Sequence, residues 1–195
     1  MQDEELVRQV LSGNNNAFRF LVSKYQRLVL HVVGRILQQQ DQVEDTCQEV
    51  FIKVFKTLKT FRGDSKLSTW IATVAYNTAI TEVRKQKRKR KSEVSYSQEP
   101  AFLKTENDAN SDHILVERAE ARKYLLKLIE TLPVNYRTVL TLYHLEEFSY
   151  KEIVEITGMP EGTIKSYLSR ARAILKGKIE KIARLEQINI FESHV

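Results

Sequence analysis

The chain has 195 residues, is 42% hydrophobic and contains only six glycines and three prolines, a composition that favours helices over sheets. Its net charge of +6 points to a polyanionic partner without choosing between nucleic acid and a membrane surface. The longest apolar run, residues 28–33, is broken by His31 and is far shorter than the roughly 20 residues that cross a bilayer. The lone Cys47 excludes an internal disulfide, and the acidic N-terminus lacks the pattern of a signal peptide, so we expect a cytoplasmic protein.

The first part of the chain, to about residue 91, is predicted to be helical throughout. One buried stripe is predicted from apolar residues at helical spacing: Phe18, Leu21, Val22, Tyr25, Leu28, Val32 and Ile36. A second helix is predicted from about Asp41 to Lys59, with Cys47 as a small core residue. A third helix is predicted after the turn-like sequence FRGDSK, with Ser68 as its cap.

The end of that third helix is strongly basic, and the sequence after it is acidic. Lys or Arg fills seven of the eight positions from 84 to 91, which makes this segment either a phosphate-binding arm or a solvated helix end, and we favour the arm. Residues 92–112 carry five acidic residues against one lysine and lose the amphipathic pattern. They are predicted to form a linker that spans roughly 70 Å when fully extended. Two modules, 1–91 and 113–195, could therefore contact DNA at separate places.

The C-terminal module begins with a predicted helix, whose expected core positions are Leu115, Ala119, Leu125, Leu128 and Ile129. After a break at residues 131–133, another helix is predicted from Asn135 to Leu145. Ser149 and Glu152 then have the spacing of a capping box, which predicts the start of a short helix. Gly158 is predicted to end this helix, and Pro160 suits the first turn of the next one. Two short helices joined by such a turn are typical of a helix-turn-helix.

The second helix of this pair has the pattern of a DNA reader. Ile164, Leu168, Ala171 and Leu175 are spaced to face a core. The other side is basic and rich in hydrogen-bonding groups, as a major-groove reader requires. The candidate DNA contacts are Thr163, Lys165, Ser166, Tyr167, Ser169, Arg170 and Arg172. A merely solvated basic face is the alternative, but the turn, the capping box and the basic face occur together.

Two further surfaces lie in the first module. Asp45, Gln48, Glu49 and Ile52 share one helix face, opposite Val43, Cys47, Val50 and Val54. Such an acidic stripe on a basic protein indicates a docking face for a basic helix, with a solvated face as the alternative. The loop at 61–66 and the following helix combine polar groups with aromatic rings, which can hold a base outside the stack. The candidates there are Phe61, Arg62, Asp64, Ser65, Lys66, Tyr76, Asn77, Thr81 and Arg84, whereas Trp70 is expected in the core.

Over nearly its whole length the chain resembles the extracytoplasmic-function sigma factors, which are compact bacterial transcription initiation factors. The matching segments are EDTCQEVFIKVFKTL at 44–58, STWIATVAYNTAITEVRK at 68–85, and residues 130–175, from ETLPVNYRTV to SRARAIL. The resemblance implies an all-α fold of two small helical domains joined by the flexible acidic linker. Region 2 would occupy residues 1–91. Region 4 would occupy residues 113–195, including a C-terminal extension, and would contain a winged-helix-like helix-turn-helix.

The resemblance also implies a role for each surface. The acidic stripe would bind the β′ coiled coil of core RNA polymerase, and the β flap would be a second polymerase contact. The loop and helix after it would handle the −10 element of promoter DNA, and the reader helix the −35 element. An anti-sigma factor is a further candidate partner. Family members commonly have an arginine in place of Tyr76 and of Tyr167, which suggests an altered base preference.

No enzymatic activity, cofactor or metal is expected. The sequence has no Gly-rich phosphate loop, no HExxH and no paired cysteines, and its four histidines do not cluster with carboxylates at metal-ligand spacing. Two alternatives remain. An ordinary helix-turn-helix regulator that dimerises on a palindrome would leave the acidic stripe and the basic segment unexplained. A nucleic-acid-processing enzyme would need a catalytic constellation that the sequence does not offer.

Overall fold

The structure is a computed structural model that describes residues 2–37, 39–92 and 124–192. These residues form α1 (Asp3–Leu11), α2 (Asn15–Ile36), α3 (Gln40–Thr57), a 3-10 turn (Leu58–Thr60), α4 (Leu67–Ser92), α5 (124–130), α6 (Val134–His144), α7 (Tyr150–Thr157) and α8 (Glu161–Glu192). No β-strand occurs among them, which confirms the all-α prediction and leaves the helix-turn-helix without a β-wing in the described part of the chain. Residues 93–112 of the predicted linker, together with Leu115 and Ala119, lie outside the described residues.

The N-terminal module is built around α2, which packs against α1, α3 and α4. The side chain of Asn14 caps α2 by accepting the amides of Asn16 and Ala17 at 3.0 and 3.2 Å. Most of the predicted stripe is buried, namely Leu21, Tyr25, Leu28, Val32 and Ile36, while Phe18 and Val22 are half-buried. Helical spacing was therefore a sound guide to this core.

The third predicted helix, α4, starts before the predicted cap, Ser68. Leu67 is its first residue and is 1% exposed, so the side chain enters the core at once. The carbonyl of Lys66 accepts the amide of Trp70 at 3.1 Å, which is the first hydrogen bond of the helix. Ser68 therefore lies in the first turn and does not cap the helix.

The helix-turn-helix of the C-terminal module has the predicted local structure. Ser149 Oγ accepts the Glu152 amide at 3.3 Å, and Glu152 Oε2 accepts the Ser149 amide at 2.8 Å, which completes the capping box. Gly158 ends α7 with a φ of +69°, a left-handed conformation that glycine adopts without strain. The prediction for Leu125 was wrong: it is 40% exposed and lies one turn before the point where Ile129 enters the core.

The two modules pack against each other through α2 with α6 and α4 with α7. Their buried apolar residues form one continuous core. Arg137, which is 5% exposed, donates to the carbonyl oxygens of Arg35 and Ile36 at the C-terminal end of α2, the latter at 3.3 Å.

Within the described ranges, no helix is both long and apolar enough to span a bilayer.

Candidate nucleic-acid and polymerase interfaces

The predicted reader is the first half of α8, and its two faces are as expected. Ile164, Leu168 and Ala171 are at most 1% exposed, and Leu175 is also buried. The candidate DNA contacts lie on the other side, with Lys165, Ser169, Arg170 and Arg172 exposed and Thr163, Ser166 and Tyr167 half-buried. An exposed row of donors on a packed helix is the geometry that enters a major groove.

Two cations of the reader are oriented by neighbours in their own module. The ammonium group of Lys165 lies 2.7 Å from Glu161 and 5.3 Å from the ring centre of Tyr150. The guanidinium group of Arg172 donates to His144 Nε2 at 3.0 Å and lies 5.8 Å from the ring centre of Tyr143. Burial lowers the pKa of His144, and the charge of Arg172 lowers it further, so the neutral imidazole acts as the acceptor.

Arg170 differs from these two residues because, within the described part of the chain, it makes no ion pair, side-chain hydrogen bond or cation–π contact. Its exposed guanidinium group is available to a phosphate. Tyr167 is less free, since its ring lies 5.1 Å from that of Tyr136 and packs against the core. Sequence reasoning missed the His144 contact, because the two residues are 28 positions apart and no local pattern joins them.

The loop before α4 brings its candidate residues together around a bend. Gly63 has a φ of +80°, which makes glycine the favoured residue at that point. The rings of Phe61 and Trp70 lie 5.7 Å apart, and both pack against the core, in agreement with the expected role of Trp70. Arg62, Asp64 and Lys66 are exposed, and Ser65 is half-buried. Polar groups thus surround a half-buried aromatic ring.

On α4 the four candidate residues differ in exposure. Asn77, Thr81 and Arg84 are exposed, and the hydroxyl of Thr81 donates to the carbonyl of Asn77 at 2.8 Å. Tyr76 was expected to face the DNA strand, but it is 8% exposed in this packing. Burial raises the pKa of Tyr76; the charge of Arg84 opposes this rise and the hydroxyl of Tyr167 adds to it. The C-terminal module therefore lies close to this tyrosine.

Lys66, at the end of the loop, also contacts the other module. Its ammonium group lies 3.0 Å from Glu152 Oε1, and the hydroxyl of Thr69 donates to the same oxygen at 3.3 Å. Burial would raise the pKa of Glu152, but hydrogen bonds from Ser149 and Lys66 outweigh it and lower the pKa to about 2. One carboxylate thus caps the first helix of the helix-turn-helix and holds the loop of the other module.

The acidic stripe on α3 has the predicted orientation, opposite the buried Val43, Val50 and Val54. Asp45, Gln48 and Ile52 are exposed, and Glu49 is half-buried. Lys53 lies 2.7 Å from Glu49 and donates a hydrogen bond to it, which lowers the pKa of that carboxyl group, so a cation lies beside the stripe.

Cys47, on the opposite side of α3, is half-buried beside the core. Burial, together with the charge of Glu44, raises the pKa of its thiol to about 11.

One exposed aromatic residue extends the stripe and was missed from the sequence. Phe55 is 53% exposed, and its ring meets that of Phe18 edge-on at 4.9 Å. It follows Ile52 by three residues, so the helical spacing already contained this signal. Aromatic residues are enriched in protein docking surfaces, so Phe55 adds a candidate contact to this face.

The basic segment at 84–91 forms the last turns of α4. Arg84, Lys85 and Arg88 are exposed, and Lys85 lies 3.2 Å from Glu82. The segment is therefore a helix end by geometry, and its contact with phosphate remains a prediction.

Among the residues that the structure describes, no group of His, Cys, Asp and Glu side chains could hold a metal ion.

These features define a class of protein: a helical, DNA-binding protein with a helix-turn-helix in one module and a docking stripe in the other. Comparison with known proteins gives the family. Residues 21–89 match Sigma-70 region 2, and residues 122–175 match Sigma-70 region 4. The chain is 34% identical over 190 residues to the ECF RNA polymerase sigma-E factor of Escherichia coli, covering 94% of this chain and 97% of that protein. It is 33% identical over 187 residues to the RNA polymerase sigma-H factor of Pseudomonas aeruginosa, covering 94% and 96%.

The chain therefore belongs to the sigma-70 family, and within it to the ECF RNA polymerase sigma factors, which are transcription initiation factors. Solved structures share its fold. The sigma factor RpoE in complex with the anti-sigma factor NepR, from Bartonella quintana, has a TM-score of 0.70 at 22% identity, covering 84% of this chain and 96% of that one. CnrH in complex with the cytosolic domain of CnrY has a TM-score of 0.63 at 20% identity, covering 92% and 97%.

Proposed function

We propose that this chain binds core RNA polymerase through the stripe on α3 and divides promoter recognition between its two modules. The loop at 61–66 and the exposed face of α4 take the −10 element, and the exposed face of α8 takes the −35 element. The observation that carries this proposal is the packed reader helix with its outward row of Lys165, Ser169 and Arg170. A helix so oriented presents donors to base edges and phosphates.

The division of the chain follows from these surfaces. Residues 1–91 act as region 2, residues 113–195 as region 4 with an extension, and residues 92–112 as the tether between them. The chain has no catalytic role of its own, because RNA synthesis belongs to the polymerase. It works in the cytoplasm, where promoter DNA and polymerase meet. An anti-sigma factor is a further partner, since the similar RpoE was solved in complex with one.

The stripe supports polymerase docking through charge and exposed apolar area. Asp45 and Ile52 are exposed and lie on the same face as Glu49. Carboxylates steer a basic partner toward this face, and the apolar end formed by Ile52 and Phe55 adds contact area on arrival. Glu49 is already paired with Lys53 in the free chain, so we expect Asp45 to contribute the larger share of the attraction.

The test replaces both carboxylates and measures binding to core polymerase. Asp45→Ala combined with Glu49→Ala should weaken the affinity at least fivefold, or roughly 1 kcal/mol. Glu4→Ala combined with Glu155→Ala is the matched control, since it removes two exposed carboxylates outside the stripe. Undiminished affinity of the first variant would remove the stripe from the interface.

A second measurement separates the proposal from an independent helix-turn-helix regulator. Promoter fragments are incubated with the chain alone, with core polymerase alone and with both. A polymerase subunit should give a promoter complex and a run-off transcript only when both are present. Tight, sequence-specific binding by the chain alone would favour the regulator.

A further inference from the structure

We infer that an aromatic platform on α6 and α7 positions two cations of the reader helix before they meet DNA. The platform consists of Tyr143, His144 and Tyr150, and the two cations are Lys165 and Arg172. The platform residues act as positioning residues, because they fix side chains that would otherwise lose conformational freedom on binding. The inference deepens the proposed function and rests on it, since it takes the exposed face of α8 as the reader of the −35 element.

The first support is the hydrogen bonding of Arg172. Its guanidinium group donates to Nε2 of His144 twice, from Nε at 3.3 Å and from Nη2 at 3.0 Å. These two donors lie on one edge of a planar group, so together they fix its plane, whereas a single bond would let it turn. The guanidinium group has further N–H donors, which stay available to DNA.

The second support is the ring of Tyr143, which holds the same cation from another side. Cζ of Arg172 lies 5.8 Å from the centre of this ring, within the range of about 6 Å in which a ring face attracts a cation. The same ring meets the imidazole of His144 edge-on, with the two ring centres 4.9 Å apart. Tyr143 therefore orients both the cation and its hydrogen-bond acceptor.

The third support is that the platform reaches the second cation through stacked tyrosines. The rings of Tyr143 and Tyr150 stack with their centres 5.0 Å apart, and the ammonium group of Lys165 lies 5.3 Å from the centre of the Tyr150 ring. Hydrogen bonding with Tyr143 raises the pKa of Tyr150, and the charges of both cations oppose that rise. Lys165 and Arg172 are seven residues apart, close to two turns, so both lie on the same side of α8.

The fourth support is the absence of charge from the partners of Arg172. An acidic partner would compete with phosphate for this cation, as Glu161 does for Lys165 at 2.7 Å. A neutral imidazole and a tyrosine ring instead orient the guanidinium group and leave its charge uncompensated. Such a partner suits an arginine that must be both fixed in direction and free to attract DNA.

The platform and the cations all belong to the C-terminal module. Both α6 and α7, which carry the platform, pack against α8, which carries the cations. The arrangement is therefore independent of the contacts between the modules, and it can be tested in the complex with core polymerase.

The main test measures promoter binding by the complex of the chain with core polymerase. His144→Ala should weaken binding roughly three- to fivefold without changing the log–log salt slope, because the cation itself remains. His144→Gln offers a neutral amide oxygen as the acceptor and should restore most of the affinity. Arg172→Ala should weaken binding further and reduce the slope by about 0.9. Asn135→Ala, which removes another exposed polar side chain from α6, is the matched control.

A double-mutant cycle separates positioning from direct contact with DNA. If His144 acts through Arg172, then His144→Ala should cause no further loss of affinity in an Arg172→Ala background. An additive loss would overturn the inference, because His144 would then contact the promoter by itself.

The same cycle tests the tyrosine that faces Lys165. Tyr150→Leu should weaken promoter binding roughly threefold, whereas Tyr150→Phe keeps the ring and should bind like the unmodified chain. Tyr150→Leu should have no further effect in a Lys165→Ala background, and denaturant unfolding checks that the variant remains folded. An equal loss with and without Lys165 would remove Tyr150 from the platform.

A pH profile gives a readout that a purely structural role would not change. The imidazole of His144 faces Arg172 from α8 and Tyr143 from its own helix, with Tyr150 of α7 stacked behind that tyrosine. Burial lowers the pKa of His144 from its ordinary value of 6.5, and the charge of Arg172 lowers it further. The acceptor is therefore present at neutral pH and is lost when the imidazole is protonated at lower pH.

As the pH falls below about 6.5, the unmodified chain should lose promoter affinity relative to His144→Gln measured at the same pH. Parallel profiles would overturn the inference. A relative gain at low pH would also overturn it, since the imidazolium would then be binding phosphate directly.

Failure of the inference and failure of the proposed function give different results. If Arg172→Ala weakens promoter binding and His144→Ala does not, the platform is overturned and the proposed function stands. If both Arg170→Ala and Arg172→Ala bind the promoter like the unmodified chain, α8 is not the reader, and the proposed function fails together with the inference.

Discussion

The two proposed DNA surfaces are held in place in different ways. The reader surface on α8 is organised by its own module: Lys165 is held by Glu161, and Arg172 by His144. The surface of the loop and α4 is held by the other module, through Lys66 and Tyr76. A duplex reader needs only a packed helix with donors facing outward. A surface that captures an unstacked strand also needs room for a base, and in this packing Tyr76 on that surface is only 8% exposed.

The largest expected effect tests whether the reader is organised by its own core. Leu168 is 1% exposed, so Leu168→Ala should lower the free energy of unfolding by about 3 kcal/mol through lost burial and the cavity left behind. Denaturant unfolding measures it. Ile174→Ala, at a position that is 37% exposed, is the control and should cost no more than about 0.5 kcal/mol. A loss below about 1 kcal/mol for Leu168→Ala would show that α8 does not depend on this packing.

The next effect separates charge-driven from strand-specific binding, in the complex with core polymerase. Arg170→Ala should weaken promoter binding several-fold and reduce the log–log salt slope by about 0.9, because one phosphate contact is lost. Asn77→Ala should weaken binding to a single-stranded −10 probe with no change in slope, since a neutral amide releases no counterion. Arg8→Ala, which removes an exposed cation on α1, is the control for both measurements. An unchanged salt slope in Arg170→Ala would mean that this side of α8 does not face DNA.

The smallest effect concerns acid stability at the carboxylate that joins the two surfaces. The folded-state pKa of Glu152 is about 2, below its ordinary value of 4.5, so the unfolded chain binds the proton more readily. Its contribution is therefore complete above about pH 4.5 and is lost as the pH falls through about 2. Between pH 6 and pH 3, unfolding free energy should fall less steeply in Glu152→Gln than in the unmodified chain. Exposed Glu155→Gln is the control, and equal slopes in all three proteins would contradict the assignment.

The features that the sequence predicted correctly depend on residues three or four positions apart. The capping box of Ser149 and Glu152, the end of α7 at Gly158 and the buried side of α8 are local patterns, and the structure has all three. Phe55 carried the same kind of signal. The polymerase-binding and DNA-binding roles of the individual residues stay predictions.

What the sequence could not reveal is the contact between the modules. Glu152 meets Thr69 across 83 positions, and His31 meets Glu146 across 115 positions. No periodicity links residues so far apart, and the acidic segment between the modules gave no indication that they would pack. The burial of Tyr76 follows from the same packing, so its predicted exposure could be judged only in three dimensions.

The length of α8 has a practical consequence. This single helix runs from Glu161 to Glu192, past residue 175, where the match to region 4 ends. Its 32 residues extend about 48 Å. Because it is an unbroken rod, a tilt of about 10° at its base would displace its tip by roughly 8 Å. A fluorophore attached near the C-terminal end of α8 would therefore move by several ångströms when the DNA-reading end rotates slightly. Fluorescence resonance energy transfer could measure that change in distance.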